Sequence, residues 1–186
     1  MLNNKEWQVI LAGEGGQGLV FIGALLGEAA LLDGKYASQS ASYTIASRGG
    51  FTKADVIISD TEISFPEVTE PDVVLALSAG SLEKYWDSLP PESLLIYDTA
   101  LNGRAAAKNR IPLPLSATVR EAAANGWKAP LNLVGLGAVI ESADVVSWEA
   151  FRKVLENKFP SPAIVEANWK ALQAGAELVK KTPENE

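Results

Sequence analysis

Short apolar runs alternate with longer stretches of helical periodicity along the chain, which predicts strands alternating with helices. The first run, residues 7–12, ends at a glycine, and the stretch after it stops before Asp33-Gly34, a turn signal. Further strands are predicted at 35–40, at 71–78, at 93–98 and twice within 51–66, with a turn near Asp60-Thr61. Residues 110–115 predict an edge strand, since Pro112 and Pro114 cannot donate hydrogen bonds to a neighbour. Helices are predicted at 17–32, 82–89, 118–125, 131–143, 148–158 and 163–181.

The predicted strands are apolar without alternation, which is typical of strands buried on both faces of a sheet. We therefore expect an α/β protein, specifically a three-layer α/β/α sandwich with a mostly parallel (mixed) sheet and a Rossmann-like first βα unit. The length of 186 residues fits a single domain, placed at 1–180, with 181–186 as a disordered tail.

The amino-acid composition excludes several kinds of binding site and catalytic group. The formal net charge of −7 argues against nucleic acid as a partner. The absence of cysteine excludes disulfides and iron–sulfur clusters held by this chain, and the absence of histidine removes the usual general base. No metal site is predicted. Gly23, Gly27 and Glu28 interrupt the longest apolar stretch, so no membrane contact is expected, and without a visible signal peptide the expected location is cytoplasmic.

One glycine-rich segment, GEGGQG at residues 13–18, follows a predicted strand and precedes a predicted helix. Such a loop lets a phosphate approach the backbone at a helix N-terminus. A dinucleotide site also needs an acidic residue after the second strand, but Asp and Glu are both absent between Gly34 and Lys53, so NAD binding is not expected. Two interpretations stay open: a tight turn without a ligand, or a contact with another phosphate-bearing ligand or a partner chain.

GEGGQG, SRGGFTKADVIISDTEISFP, PDVVLALS and NLVGLGA together resemble the gamma subunit of 2-oxoacid:ferredoxin oxidoreductases, over about residues 9–175. The stretch DTEISFPEVTEPDVVLALS is most similar to the 2-oxoglutarate type. One departure is that Tyr43 is followed by Thr-Ile-Ala, where family members often have Gly-Pro-Glu.

The resemblance implies a non-catalytic subunit of a heteromeric cytoplasmic enzyme of anaerobic metabolism. Such an enzyme converts a 2-oxoacid and coenzyme A into acyl-CoA and carbon dioxide and passes electrons to ferredoxin. The implied partners are alpha and beta subunits and, in some members, a ferredoxin-like delta subunit. Thiamine diphosphate and 4Fe-4S clusters would lie on these partners, and the gamma subunit would contribute to binding coenzyme A.

The candidate ligand-binding residues are the two glycine-containing segments, and no catalytic residue is predicted: Gly13, Gly15, Gly16, Gln17, Gly18, Ser47, Arg48, Gly49 and Gly50. Arg48 suits phosphate or carboxylate recognition, but a surface arginine or an interface salt bridge fits it equally. Gln17 contacts a ligand or caps the helix, and Asn132 is interpreted as a helix N-terminal residue. Helix 131–143 is apolar nearly all round, so it is buried or covered by another subunit, and the apolar face of helix 163–181 is expected against the chain's own sheet.

Two other functions compete with this one. The chain could be a stand-alone protein that binds coenzyme A or a nucleotide. It could also be the related subunit of indolepyruvate oxidoreductase, which shares both glycine motifs.

Overall fold

The computed structural model describes residues 5–43, 50–101 and 107–182. Six strands are present in these ranges: β1 (Glu6–Glu14), β2 (Tyr36–Tyr43), β3 (Phe51–Ser59), β4 (Val73–Ala76), β5 (Leu94–Asp98) and β6 (Arg110–Leu113). Six α-helices accompany them: α1 (Leu19–Leu32), α2 (Ala79–Trp86), α3 (Leu115–Ala124), α4 (Leu131–Ala143), α5 (Trp148–Lys158) and α6 (Pro162–Lys181). A 3₁₀ turn, Thr99–Leu101, follows β5.

The strands form one mixed sheet in the order β2-β3-β1-β4-β5-β6. β1, β4, β5 and β6 run parallel, whereas β3 is antiparallel to both of its neighbours, β1 and β2. The predicted edge position of the proline-containing strand is confirmed, because β6 ends the sheet. The carboxyl ends of the parallel strands therefore meet at one edge, hereafter the carboxyl edge.

Both faces of the sheet are buried at its central strands β3, β1, β4 and β5, whereas β2 is largely exposed. Along β1, Val9 and Leu11 belong to a large core shared with α1, α3, α4, α5 and α6, whereas Ile10 and Ala12 belong to a smaller core beneath α2. Apolar residues at successive positions are required when a strand is covered on both sides. The predicted three-layer α/β/α sandwich is confirmed.

Helix α4 is apolar all round because it lies between the sheet and α6. Gly135 faces Leu75 of β4, where an added Cβ would lie 2.8 Å from a leucine methyl group. On the opposite side Gly137 contacts the backbone at Leu172, and Gly175 of α6 contacts the backbone at Val134. The expectation that α6 docks on the sheet is therefore wrong: its apolar face packs on α4, which glycines allow it to approach closely.

Several predicted boundaries also need correction. The second strand expected within 51–66 does not form. Residues 60–72 are irregular instead, and the side chain of Gln8 accepts hydrogen bonds from the N–H groups of Thr69 (2.8 Å) and Glu70 (3.0 Å). Strand β2 continues to Tyr43, three residues beyond its predicted end at Ser40, since β3 supplies a pairing partner at every position. Helix α3 begins three residues before its predicted start, and α2 lies three residues earlier in the chain than predicted.

Replacing Gly175 by alanine tests the α4–α6 contact. The added methyl group would overlap the Val134 carbonyl, so we expect a loss of about 1–3 kcal/mol in the free energy of unfolding. Gly80→Ala in α2 is the matched control, because no atom lies within 4 Å of a Cβ there. Since alanine is the better helix former, the control should be neutral or stabilise by up to about 1 kcal/mol. Urea unfolding followed by circular dichroism measures both, and equal effects would show that the two helices are not in close contact.

Candidate functional site

The glycine loop, residues 13–18, lies at the carboxyl edge between the end of β1 and the start of α1. Gly16 (φ 94°) and Gly18 (φ 72°) have the left-handed backbone conformation that favours glycine. An added Cβ at Gly16 would meet no atom within 4 Å, so the loop is open at that point. The Gln17 N–H donates to the Glu14 carbonyl (3.2 Å), which closes the turn.

Gln17 holds this loop in place with both ends of its carboxamide. Its Oε1 accepts from the Glu14 N–H (2.8 Å), and its Nε2 donates to the Leu77 carbonyl just after β4 (3.0 Å). A Cβ at Gly13 would overlap this carboxamide, so glycine is needed there to make room for Gln17. Gln17 therefore has a positioning role within the chain, and the interpretation that it caps the helix is wrong, since α1 has no side-chain cap.

The two glycine motifs meet at the carboxyl edge. The Gly15 N–H donates to the Gly50 carbonyl (3.0 Å), and a Cβ at Gly15 would lie 3.7 Å from the Thr52 hydroxyl, an ordinary contact. Because β1 and β3 are paired up to Glu14 and Phe51, the residues just beyond that pair lie side by side. The other candidates of this motif, Ser47, Arg48 and Gly49, lie outside the described residues.

Two helix N-termini converge on Gly18. The first hydrogen bond within α1 runs from the Ile22 N–H to the Gly18 carbonyl (3.1 Å), so the N–H groups of residues 19–21 lie ahead of it without a side-chain cap. At the start of α4, Asn132 accepts from the Leu133 N–H (2.9 Å) and points its amide nitrogen at the Gly18 carbonyl (3.5 Å). Neither helix has an acidic residue in its first turn, so the local potential favours an anion.

Charged side chains on the α2 side of the sheet lie next to the loop. Phe51 is paired with Glu14, and the Lys84 ammonium lies over its ring, 4.1 Å from the centroid. Sequence reasoning did not identify Lys84, because only the packing of α2 brings it to this strand end.

Farther along β3, Lys53 pairs with the buried carboxylate of Asp55 (2.5 Å). Burial, with a smaller contribution from the charge of Asp55, raises the pKa of Tyr85 to about 12, so its hydroxyl is neutral at physiological pH.

The carboxylates that end or precede strands have structural partners. Asp98, at the end of β5, accepts from the Ala100 N–H (3.1 Å) and from the N–H and hydroxyl of Ser116 in the first turn of α3. Asp72 accepts from the Gln8 N–H (2.7 Å) and so joins β1 to the start of β4. Within the described ranges, His, Cys, Asp and Glu side chains form no group of three that could hold a metal ion.

The order of the strands and the sequence of β2 both differ from those of a dinucleotide-binding site. In this chain β2 is separated from β1 by β3, and it has no acidic side chain along its length. The acidic residue that would bind a ribose is therefore absent from the strand that follows the glycine loop and helix.

The chain is therefore an α/β protein in which a glycine loop is joined to a second glycine-containing segment at the carboxyl edge of a mixed sheet. The sequence model of the pyruvate ferredoxin/flavodoxin oxidoreductase family matches residues 8–178. The chain belongs to this family.

Named relatives refine the comparison. The chain is 37% identical over 181 residues to the 2-oxoglutarate synthase subunit KorC of Methanothermobacter marburgensis, covering 92% of this chain and 96% of that one. It resembles the crystal structure of a keto/oxoacid ferredoxin oxidoreductase gamma subunit from Geobacter sulfurreducens, with a TM-score of 0.77, 33% identity, and coverage of 95% of this chain and 97% of that one. Since it matches such subunits along nearly their whole length, it is a gamma-type subunit of this oxidoreductase family.

A more distant structure shares the fold within a longer chain. The 2-oxoglutarate:ferredoxin oxidoreductase of Magnetococcus marinus, with 2-oxoglutarate, coenzyme A and succinyl-CoA bound, aligns with a TM-score of 0.82 at 23% identity. The alignment covers 98% of the present chain and 32% of that chain.

None of the helices in the part of the chain that the structure describes is long and apolar enough to cross a membrane.

Replacing Gln17 by leucine tests its positioning role. The change keeps the side-chain size but leaves the Glu14 N–H and the Leu77 carbonyl without their partner, so we expect a loss of about 1–3 kcal/mol in stability. The amides of residues 15–18 should also exchange faster with solvent. Gln173→Leu, at a half-buried position of α6, is the control for the change of residue type. Unchanged exchange in the Gln17 variant would mean that the loop holds its shape without this clamp.

Proposed function

We propose that this chain is the gamma subunit of a 2-oxoglutarate:ferredoxin oxidoreductase and that it contributes the site for coenzyme A. The assembled enzyme would convert 2-oxoglutarate and coenzyme A into succinyl-CoA and carbon dioxide and pass the electrons to ferredoxin. Its partners would be alpha and beta subunits and a ferredoxin-like delta subunit. The 37% identity with a KorC subunit, over nearly the full length of both chains, supports this assignment.

The observation that supports coenzyme A binding is the junction of the two glycine motifs at the carboxyl edge. The Gly15–Gly50 hydrogen bond brings the open backbone at Gly16 close to the strand that Arg48 precedes. Uncapped N–H groups at the start of α1 offer donors to a pyrophosphate, and Arg48 would supply a counter-charge. Ligands of open α/β sheets bind at such an edge, where helices begin and polar backbone groups are free.

The chain's own contribution would be binding and orientation. Its sequence has no cysteine to hold a cluster and no histidine to transfer a proton, so the redox and decarboxylation chemistry would depend on thiamine diphosphate and clusters held by the partners. A cradle of backbone donors would hold the coenzyme A phosphates at fixed positions and so direct the thiol toward the partners' active site.

Reconstitution tests the subunit assignment. We expect the chain to co-purify with alpha and beta subunits of the enzyme from the same organism. The assembled complex should reduce an electron acceptor when both 2-oxoglutarate and coenzyme A are present, whereas the isolated chain should contain no iron and show no turnover. A chain that binds coenzyme A tightly but never associates with these subunits would instead be a stand-alone binding protein. A complex that turns over indolepyruvate rather than 2-oxoglutarate would contradict the substrate assignment.

Two substitutions test the coenzyme A site in the assembled enzyme. Arg48→Ala should raise the KM for coenzyme A by about tenfold to a hundredfold, as expected when a charge-assisted hydrogen bond is lost, and leave the KM for 2-oxoglutarate nearly unchanged. Gly15→Ala should also raise the KM for coenzyme A. The backbone φ of Gly15 is not positive, and an added Cβ makes only ordinary contacts there. The free energy of unfolding of the Gly15→Ala variant should therefore be unchanged.

Arg120→Ala, an exposed arginine on α3, and Gly80→Ala are the matched controls for these variants. If the Arg48 variant assembles poorly and the surviving complex has normal coenzyme A kinetics, the loop is an interface element and not a phosphate cradle.

A further inference from the structure

The strand β2 at one end of the sheet has an outer edge that no described strand covers. Its sequence, Tyr36–Tyr43 (YASQSASY), is eight residues long and contains no charged residue and no proline. Proteins ordinarily protect such edges with lysines, prolines, bulges or short strands, because an open edge pairs readily with another strand. None of these devices occurs in β2, which is paired with β3 in unbroken register.

On one face of the sheet, helix α1 adds a row of uncharged residues beside β2. Val20, Ala24, Gly27 and Leu31 follow one another at steps of four, three and four, and all are half-exposed or exposed. This row, hereafter the α1 stripe, borders β2. The Gln39 amide donates to the Val20 carbonyl (2.8 Å), and a Cβ at Gly27 would lie 3.7 Å from the Cβ of Ala37. A helix that is apolar on its solvent side as well as toward the core needs a further partner.

The charged side chains near β2 and α1 bind partners in other parts of the chain. Between Leu19 and Tyr43 the charged residues are Glu28, Asp33 and Lys35. Glu28 pairs with Lys158 of α5 (2.7 Å), Asp33 accepts from the hydroxyl of Ser147 (2.6 Å), and Lys35 donates to the Val145 carbonyl (2.9 Å). The chain as a whole has a net charge of −7, so two copies repel one another over most of their surface but not here.

We propose that β2 and the α1 stripe form a two-fold interface with a second copy of this chain. Two identical antiparallel edge strands are related by an axis perpendicular to the sheet. When the two strands overlap along nearly their whole length, a central residue of β2, either Gln39 or Ser40, lies opposite its own copy. With Ser40 on the axis, Ser38 faces Ser42 of the second copy; with Gln39 on the axis, Ala37 faces Ala41. The residues of β2 are uncharged throughout, so neither register brings like charges together.

The same axis brings the two α1 helices together on one face. Gln39 is level with Val20 and Gly23, so Ala24 lies near the axis and the two stripes run antiparallel beside each other. Ala24 and Gly27 are small enough to let the helices approach, and Leu31 packs at the rim. A second copy placed by this axis therefore pairs with the open strand edge and covers the α1 stripe at the same time.

Charge substitutions at Ala24 test this interface in the isolated full-length chain, independently of the proposed enzymatic function. By sedimentation over a concentration series, the unmodified chain should reach twice its mass of 19.8 kDa. Ala24→Lys and Ala24→Glu should each raise the dimer dissociation constant by about a hundredfold, because like charges face one another across the axis. An equimolar mixture of the two variants should dimerise again, which a variant that fails to fold cannot do. Ala123→Lys and Ala123→Glu, at an exposed position of α3, should have no effect.

Cross-linking locates the axis. Because the chain has no cysteine, the single variants Ser40→Cys and Gln39→Cys can form only an intermolecular disulfide between equivalent residues, and one of them should oxidise rapidly to a dimer. Ser88→Cys, exposed beyond α2, should not.

A chain that stays monomeric at all concentrations, or a dimer unaffected by the Ala24 variants, would overturn the proposal. It would also be overturned if the Ala24 variants abolish binding of the alpha and beta subunits while the unmodified chain is monomeric, since the surface would then belong to that interface.

Discussion

The antiparallel pairing of β1 with β3 is the constraint on which the rest of the architecture depends. The two strands are in register over nine positions, from Glu6 opposite Ser59 to Glu14 opposite Phe51. Since the pair ends at the carboxyl edge, the loop after β1 and the segment before β3 must leave the sheet at the same place. The hydrogen bond between Gly15 and Gly50 follows from that geometry, and so does the position of β2 at the outer edge.

Glycine has different physical roles in this molecule. At Gly16 and Gly18 it supplies a left-handed backbone that turns β1 into α1. At Gly137 and Gly175 it removes a side chain so that α4 and α6 approach backbone to backbone. The first role shapes the candidate site, and the second anchors the outermost helix on α4, whose N-terminus lies beside Gly18.

The candidate site consists mainly of main-chain groups. Backbone N–H groups and helix N-termini do not titrate, so their capacity to bind an anion does not depend on pH in the way that a histidine site does. Their geometry is set by packing and by the Gln17 carboxamide, which joins the loop to the end of β4. This arrangement suits a subunit that positions a ligand and does not itself transfer protons or electrons.

Residues close together along the chain were sufficient to predict most of the helices and strands. The bounds of α4 and α5 agree with the apolar periodicity, and Pro112 marked β6 as an edge strand because a missing N–H is a local property. The motif pair of GEGGQG and SRGG also identified the family, since it depends only on residue order.

Only the tertiary structure determined which segments distant in sequence are in contact. The contact of α6 with α4, the position of Lys84 over Phe51 and the separation of β2 from β1 all depend on how distant segments pack, which no local pattern encodes. Residues 60–72 remained irregular although part of this segment was predicted as a strand, and the N–H groups of Thr69 and Glu70 donate instead to the side chain of Gln8. A local sequence pattern indicates which secondary structure a segment can adopt, and the available hydrogen-bonding and packing partners determine which one it adopts.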